Sequence, residues 1–188
     1  MGQVAVQTLL RNESINHVIV ADNDPQRLKS FVESLDTERA SAKVVDISDE
    51  AALVEVMREG DVVMNTSGPY YRYGVAVVRA VIEARRNYAD MDDDWRPTQQ
   101  VLELDVKARE AGISVVVGIG SSPGATNLLA KHAAAQLDRV DAVHTAWGSL
   151  GGPRPPVRGE PSSRVAWSTS CTVLVGRFLR SATASLYM

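Results

Sequence analysis

The sequence predicts an α/β fold, in which a doubly wound, mainly parallel β-sheet is covered by helices on both faces. Short β-branched runs alternate with amphipathic segments of helical length from Val4 to Trp147, and this alternation is typical of a parallel sheet. The runs 18–21 and 115–117 are apolar throughout, as strands buried on both faces are. Shares of 45% hydrophobic and 23% charged residues are ordinary for a globular protein.

The predicted elements have recognisable ends. Asp24 directly precedes Pro25, and residues 48–50 have side chains that accept hydrogen bonds. A helix is therefore predicted to begin at each of these places. Gly60 and Gly112 follow predicted helices, where a left-handed C-terminal cap is common. We predict helices over 3–11, 25–35, 50–59, 74–86, 98–111 and 125–137, and strands over 17–21, 42–46, 61–65, 88–91, 114–118 and 142–147.

Two units are expected, and both are predicted to be incomplete. Residues 1–137 would form a nucleotide-binding unit without its first strand, because the chain passes from Met1 and Gly2 directly into a helix. That strand is central in such a sheet, and the apolar segment 172–175 is one candidate to fill its place. Residues 138–188 would begin a second α+β domain, with a Gly/Pro-rich loop at 151–161 and an irregular tail.

Charge and composition argue against several classes of partner. A net charge of −3 gives no reason to expect nucleic acid. One cysteine (Cys171) and three scattered histidines make a metal site improbable. The sequence contains no apolar run of membrane-spanning length and no signal peptide, so we expect no membrane partner and a cytoplasmic location.

Gly2 and Asp22 are the first candidate cofactor-binding residues. Gly2 stands where the last glycine of a nucleotide-binding turn would pack helix on strand, although it could equally be a flexible terminal residue. Asp22 ends a strand twenty residues later, where an acid accepts hydrogen bonds from an adenosine ribose. A carboxylate there favours NAD over NADP, although Arg27 could hold a phosphate. Because Asp24 fills the cap role, Asp22 is expected to be free, and a simple turn aspartate is the alternative.

Two further strand ends carry candidate cofactor residues. Asp46 ends the next predicted strand, where a side chain would lie beside an adenine. Small polar residues and a glycine follow the strand at 61–65, and such residues allow the backbone to approach a cofactor closely. The alternative is a well-capped turn. The candidates in this loop are Thr66, Ser67, Gly68 and Pro69.

An acidic run and a glycine-rich turn complete the candidate site. Four carboxylates fall within residues 90–94, where they could attract an amine or keep one group protonated as a general acid. Asp90 is the candidate catalytic residue, and a solvated loop is the alternative for the run as a whole. The turn containing Pro123 and Gly124 joins a buried strand to a helix at the same edge of the sheet.

The order of these segments resembles the saccharopine dehydrogenase superfamily. The matching stretches are 20–24, 61–65, 88–91 and 118–127, within a similarity that extends over about residues 2–168. The Pro-Gly turn, the helix after it and residues 147–153 look most like the lysine 6-dehydrogenase branch. The sequence departs from the family in the absent first strand and after about Ser168.

The resemblance implies a Rossmann domain that binds NAD(P), and lysine metabolism as the setting. The reaction would oxidise an amine-bearing carbon of an amino-acid-like substrate, or reduce the imine, and a second domain would commonly form a homodimer. Gly2, Asp22, Asp46 and the loop 66–69 would belong to the cofactor site, with Asp90 and the Pro123-Gly124 turn near the nicotinamide. A non-catalytic nucleotide-binding or regulatory module is the alternative. A short-chain dehydrogenase fits less well, because no Tyr-x-x-x-Lys pair is present.

Overall fold

The computed structural model describes residues 1–145 and the strand formed by residues 173–178. Helices and strands alternate along the chain as the sequence predicts. In order they are α1 (Gly2–Leu10), β1 (Ile15–Asp22), α2 (Pro25–Ser34), β2 (Ala40–Val44), α3 (Glu50–Arg58), β3 (Val62–Asn65), α4 (Tyr70–Ala84), β4 (Asn87–Asp90), α5 (Trp95–Leu102), α6 (Asp105–Ala111), β5 (Val115–Val116), a π-type turn (Ser121–Ala125), α7 (Thr126–Ala134) and β6 (Val173–Phe178).

The six strands form one sheet in the order β2-β1-β6-β3-β4-β5. Neighbours among β1 to β5 pair in parallel, whereas β6 runs antiparallel to both β1 and β3. The place of β6 is the one that the first strand takes in a doubly wound sheet of order 3-2-1-4-5. The predicted α/β class is therefore confirmed, and the expected central gap is filled by a strand that overlaps the candidate segment 172–175.

The core lies on both faces of the sheet. On one face, the helices α1 and α2 contribute Val6 and Leu28 to a cluster with Val18 and Val20 of β1. On the other face, α3 and α4 pack against the alternate residues of the same strand. Every residue from 18 to 21 is at most 5% exposed. The continuous apolar run in β1 thus reflects burial on both sides.

Most of the predicted helix ends are observed. The carboxylate of Asp24 accepts hydrogen bonds from the N–H groups of Gln26 and Arg27, and Asp49 caps α3 in the same way. Gly112 ends α6 with a left-handed φ of 71°. Gly60 does not adopt that conformation, because α3 ends at Arg58 with ordinary right-handed geometry.

Several predicted boundaries are wrong. The helix expected over 98–111 is two helices, α5 and α6, separated near Leu104. Residues 142–145 of the strand expected over 142–147 form no strand, because no neighbouring strand pairs with their backbone, and 146–147 lie outside the described residues. The Gly/Pro-rich loop at 151–161 also lies outside them. The tail is not irregular throughout, since 173–178 belong to the sheet, and a domain boundary at 137/138 stays a prediction.

Within residues 1–145 and 173–178, no helix is both long enough and apolar enough to cross a membrane.

Candidate functional site

The carboxyl ends of the parallel strands meet at one edge of the sheet, which we call the carboxyl edge. Asp22 ends β1, and Asn65 and Asp90, which end β3 and β4, lie opposite each other in register. The loop 66–69 and the turn 118–124 continue from the same edge. This is the edge at which open α/β sheets bind ligands. The sequence therefore placed Asp22, Thr66, Asp90 and Pro123 correctly on one edge, while their roles stay predictions.

Asp22 is held in an ion pair at the end of β1. It is 4% exposed, and its Oδ1 accepts hydrogen bonds from Arg27 Nη2 at 2.6 Å and from the N–H of Asp24 at 2.9 Å. The expectation that the capping role of Asp24 leaves Asp22 free is wrong. Because Arg27 lies in the first turn of α2, this end of β1 presents a carboxylate and a guanidinium together.

Asp46 and Gly2 are the other candidate cofactor residues from the first part of the chain. Asp46 is exposed just beyond β2, and it accepts hydrogen bonds from the hydroxyl and the N–H of Ser48 at 2.6 and 2.8 Å. These bonds lower the pKa of the Asp46 carboxyl. Gly2 is buried in the first turn of α1, where its lack of a side chain suits close packing.

The loop after β3 is tightly folded and buries the hydroxyl group of Ser67. Asn65 is fully buried, and its Oδ1 accepts a hydrogen bond from the N–H of Ser67 at 2.8 Å. Ser67 is also fully buried, and its Oγ finds no hydrogen-bond partner among the described residues. The loop continues through Gly68, and Pro69 caps α4. A buried hydroxyl without a partner is costly, so this one suits contact with a ligand.

Asp90 is the centre of a buried hydrogen-bond network. It is 1% exposed, and its Oδ1 accepts from the N–H groups of Asp92 and Gly118 at 3.0 and 2.8 Å. Its Oδ2 accepts from the Tyr88 hydroxyl at 2.8 Å, which in turn accepts from Asn65 Nδ2 at 3.1 Å. Both carboxylate oxygens are therefore engaged, and the network joins the ends of β3, β4 and β5.

Burial controls the protonation of this network. Burial raises the pKa of the Asp90 carboxyl, while the three hydrogen bonds that it accepts oppose the rise. Burial and the nearby Asp90 charge raise the pKa of the Tyr88 hydroxyl well above its ordinary value. The same two causes raise the pKa of Tyr70, whose hydroxyl donates to the Asn65 carbonyl. Both tyrosines are thus neutral donors near neutral pH.

Asp92 differs from Asp90 in having an oxygen without a partner. It is also 1% exposed, and its Oδ1 accepts from the N–H of Asp94 at 2.7 Å, but its Oδ2 has no hydrogen-bond partner among the described residues. Burial, together with the charges of Asp90, Asp94 and Asp93, raises the pKa of Asp92 to about 6. Oxygens of residues 92–94 lie within 4.8 Å of one another, and no further feature there indicates a metal ion.

The turn after β5 is shaped by two glycines. Gly118 has a left-handed φ of 72°. A Cβ on Gly124 would lie 2.6 Å from the carbonyl carbon of Ile119 and 2.7 Å from the carbonyl oxygen of Gly118, so only glycine fits there. The N–H of Ile119 donates to the Asp90 carbonyl at 2.8 Å. The candidate residues Pro123 and Gly124 are therefore packed against residues 118 and 119, which donate hydrogen bonds to Asp90 at the end of β4.

Three members of the network were not among the predicted site residues: Asn65, Tyr88 and Asp92. A signal for two of them exists in the sequence. Tyr88 and Asp90 are two residues apart in one strand, so they share a face of the sheet. Asn65 is a polar residue at the end of an otherwise apolar strand. The unpartnered oxygen of Asp92 depends on packing and has no comparable signal.

The carboxyl edge fits a dinucleotide on its two flanks and not at its centre. The flanks offer the Asp22–Arg27 pair on one side and the buried Ser67 hydroxyl with the Gly124 turn on the other. At the centre, the first residue of β6, Val173, lies between Ala21 and Asn65. In a Rossmann sheet the central strand ends here and enters the turn that holds the pyrophosphate. The described residues do not form that turn.

Residues 1–116, more than half of the chain, match the family model of the saccharopine dehydrogenase NADP binding domain. A solved structure of apo histidine-tagged saccharopine dehydrogenase (L-Glu forming) from Saccharomyces cerevisiae superposes with a TM-score of 0.57 at 24% identity. That match covers 70% of this chain and 28% of the other, and it shows that the two share a fold.

Several curated proteins are similar in sequence. A lipid droplet localized protein of Caenorhabditis elegans is 29% identical over 155 residues, 75% of this chain and 36% of that protein. The NADP(+), L-glutamate-forming saccharopine dehydrogenase of Saccharomyces cerevisiae is 28% identical over 150 residues, 80% of this chain and 30% of the enzyme. A trans-acting enoyl reductase of Mycobacterium ulcerans is 29% identical over 122 residues, 63% of this chain and 29% of that protein. The matched part thus spans about a third of these relatives.

Proposed function

This chain belongs to the family of the saccharopine dehydrogenase NADP-binding domain, and from that premise we propose that it is the cofactor-binding part of a nicotinamide-dependent oxidoreductase. The observation that carries the proposal is the convergence of Asp22, Ser67, Asp90 and Gly124 on the carboxyl edge. Bound NAD(P) would supply the hydride acceptor or donor. The contribution of the chain is to bind and orient that cofactor.

We propose distinct tasks for the residues on the nicotinamide side. Asp90, the candidate catalytic residue, holds the turns after β4 and β5 in position, since both of its oxygens accept hydrogen bonds. Oδ2 of Asp92 has no hydrogen-bond partner within the described part of the chain, and the pKa of Asp92 is about 6. Asp92 is therefore the acid in this group that can exchange a proton near neutral pH. The buried Ser67 hydroxyl is placed to donate to a polar group of the ligand.

An amino-acid-like substrate with an amine- or imine-bearing carbon is the substrate class that we propose. The acidic run at 90–94 supports it, because carboxylates at a strand end attract a cationic amine. The name of the yeast relative, a glutamate-forming saccharopine dehydrogenase, points to the same class. The relatives are about three times as long as the matched part, so the rest of the substrate site would come from outside this unit.

NADP is the cofactor that we propose, in place of the NAD expected from Asp22. The family model is that of an NADP-binding domain, and no finding supports a preference for NAD. The Asp22 carboxylate that would repel a 2′-phosphate is neutralised by Arg27. Because the Arg27 side chain is 37% exposed, it is accessible to a phosphate at the end of β1.

Nucleotide titration of this chain tests the proposal. Arg27→Ala should weaken NADPH binding about tenfold or more, since a charge-assisted hydrogen bond contributes about 1.5–3 kcal/mol, and should change NADH binding little. Lys29→Ala is the matched control, because Lys29 lies one half-turn further along α2 and pairs with Glu33. Failure of wild-type chain to bind either nucleotide, or equal weakening of both by Arg27→Ala, would contradict the proposal.

A non-catalytic nucleotide-binding module is the second candidate function. The placement of Val173 at the centre of the carboxyl edge favours it, because residues 1–145 and 173–178 form no pyrophosphate turn there. Such a module would hold only the adenosine half of the cofactor. For such a module, we expect 2′-phospho-AMP to bind as tightly as NADP. For the oxidoreductase, we expect NADP to bind more tightly than 2′-phospho-AMP, because the nicotinamide half adds contacts.

A further inference from the structure

Helix α5 is held on α4 by a small number of contacts. Of its eight residues, only Pro97 and Val101 are buried. At the start of α5, Asp94 Oδ2 accepts a hydrogen bond from the N–H of Tyr71, the second residue of α4, at 3.1 Å. The N–H of Asp94 in turn donates to Asp92 Oδ1 at 2.7 Å. Because it buries so little, α5 belongs to the part of the chain that opens locally most readily.

The second oxygen of Asp92 is enclosed where α4 and α5 meet. Asp92 is 1% exposed, and no residue in the described part of the chain donates to its Oδ2. A Cβ on Gly74, in the second turn of α4, would lie 3.8 Å from this oxygen, 3.8 Å from Cβ of Pro97 and 3.7 Å from Cβ of Tyr70. The turn 118–124 also approaches the backbone of Asp92, and it contains no charged residue. We call the place where these four residues of α4, α5 and the preceding loop meet the α4–α5 seam.

The groups around Asp92 do not offset a negative charge in the α4–α5 seam. Asp90, Asp93 and Asp94 are acids themselves, and the Tyr70 hydroxyl of α4 stays neutral because its pKa is raised. The basic residues of the two helices are all exposed, and they are Arg72, Arg79 and Arg96. Within the described part of the chain, no ion pair joins them to the four acids. The neutral form of Asp92 therefore suits the closed seam, and the ionised form does not.

We propose that the α4–α5 seam is a pH switch, in which protonated Asp92 holds α5 closed on α4 and ionisation of Asp92 favours an open form. Opening brings water to Oδ2 and uncovers the acidic run 92–94 at the carboxyl edge. In the closed form burial raises the pKa of Asp92 to about 6, whereas in the open form it returns toward the ordinary 3.8. The closed form is therefore most stable below about pH 4 and is lost progressively as the pH rises through about 6. The inference does not depend on nucleotide binding.

Amide hydrogen exchange at several pH values tests the switch. The exchange rates of the amides at 98–103, divided by the intrinsic rate at each pH, report how often α5 opens. Amides of α3, which packs on α4 and buries four of its nine residues, are the internal reference for opening of the whole fold. With pKa values of about 6 and 3.8, the opening constant of α5 should increase roughly tenfold between pH 5 and pH 7.5. The opening constant of α3 should increase much less.

Two substitutions identify the group that controls the opening. Asp92→Asn should abolish the increase with pH, because its side chain is neutral throughout. Asp93→Asn is the matched control, since Asp93 is the exposed neighbour of Asp92, and it should retain most of the increase. An opening constant of α5 that is the same at pH 5 and pH 7.5 overturns the proposal. So does an increase that Asp92→Asn retains, or one that Asp93→Asn abolishes equally.

A second pair of variants changes the other side of the seam, in case Asp92→Asn fails to fold. Gly74→Ser brings a hydroxyl within reach of Asp92 Oδ2, because the new Cβ would lie 3.8 Å from that oxygen. A donor there favours the ionised carboxylate in the closed form, and a pKa lowered by about one unit reduces the increase of the α5 opening constant to about twofold. Gly74→Ala adds the same Cβ without the donor, so the increase should stay near tenfold or above. Equal increases in the two variants overturn the proposal, because a donor to Oδ2 then makes no difference.

Discussion

The two flanks of the carboxyl edge are built differently, although both were expected to bind one cofactor. On the β1 and β2 flank, Asp22 pairs with Arg27 and Asp46 pairs with Ser48, so each partner lies within five residues in the sequence. These contacts are local and partly exposed. Local sequence is therefore enough to form this flank, and a change there should affect ligands more than stability.

The β3 to β5 flank depends on contacts between distant parts of the chain. Asn65 comes from β3, Tyr88 and Asp90 from β4, and Gly118 from the turn after β5. The first three are at most 2% exposed. Hydrogen bonds there are formed only when the sheet is assembled, and in a dry environment they are costly to break. The two flanks should therefore respond unequally to mutation and to pH.

The largest expected effect is that of Asp90→Ala. This change leaves the N–H groups of Asp92 and Gly118 and the Tyr88 hydroxyl without their acceptor. We expect a loss of about 4 kcal/mol in the free energy of unfolding, measured by urea denaturation, because each unsatisfied buried group costs about 1–3 kcal/mol. Asp46→Ala on the other flank should leave the denaturation midpoint unchanged. Similar losses from the two variants would contradict the comparison.

Stability should fall as pH rises from about 4 to about 7. The folded-state pKa of Asp92, about 6, lies above its ordinary value of 3.8, so the folded protein holds more protons between these values. The free energy of unfolding at pH 7 is lower by at most about 3 kcal/mol, since each unit of pKa difference corresponds to about 1.36 kcal/mol. Asp92→Asn should flatten the pH dependence, with a smaller slope left from Asp90. Asp93→Asn, an exposed neighbour, is the control, and an equally flattened profile from it would exclude Asp92 as the source.

Gly124→Ala should have an intermediate effect. Its Cβ would lie 2.6 Å from the carbonyl carbon of Ile119, and forcing extra volume into such a site costs about 1–3 kcal/mol. Gly68→Ala is the matched control, since no atom lies within 4 Å of its new Cβ. Thermal unfolding should show a lower Tm for the first variant alone. A lower Tm for both would mean that glycine flexibility, and not the close approach, is responsible.

The smallest expected effect on stability is that of Arg27→Ala. A partly exposed ion pair contributes about 1 kcal/mol or less, and salt weakens it. Urea denaturation in low and high salt should therefore show a small loss at low salt that disappears at high salt. A loss comparable with that of Asp90→Ala would mean that the β1 flank is as strongly coupled to the fold as the other one.

Local patterns in the sequence were sufficient to predict most of the fold. Apolar runs identified β1 and β5, and Asp24 before Pro25 identified the start of α2, because both signals act over a few residues. The shared edge of Asp22 and Asp90 also followed, since parallel strands place their carboxyl ends together. The break between α5 and α6 did not follow, because an amphipathic pattern continues across Leu104.

The interior of the site was less accessible to prediction. Whether an acid such as Asp90 or Asp92 is buried, and which donors it meets, depends on residues that are distant in sequence. Asp22 was expected to be free because Asp24 fills the cap role, and that argument did not take its ion pair with Arg27 into account. The antiparallel direction of β6 could not be read from residues 173–178, since an apolar segment pairs in either direction.

The position of β6 has a consequence for synthesis on the ribosome. About 150 residues separate the end of β1 from the start of β6. At a synthesis rate of about 5–20 residues per second, roughly 8–30 s pass between the synthesis of β1 and that of β6, its neighbour at the centre of the sheet. Two unpaired apolar strand edges persist during that interval, and pairings of such long sequence separation form slowly.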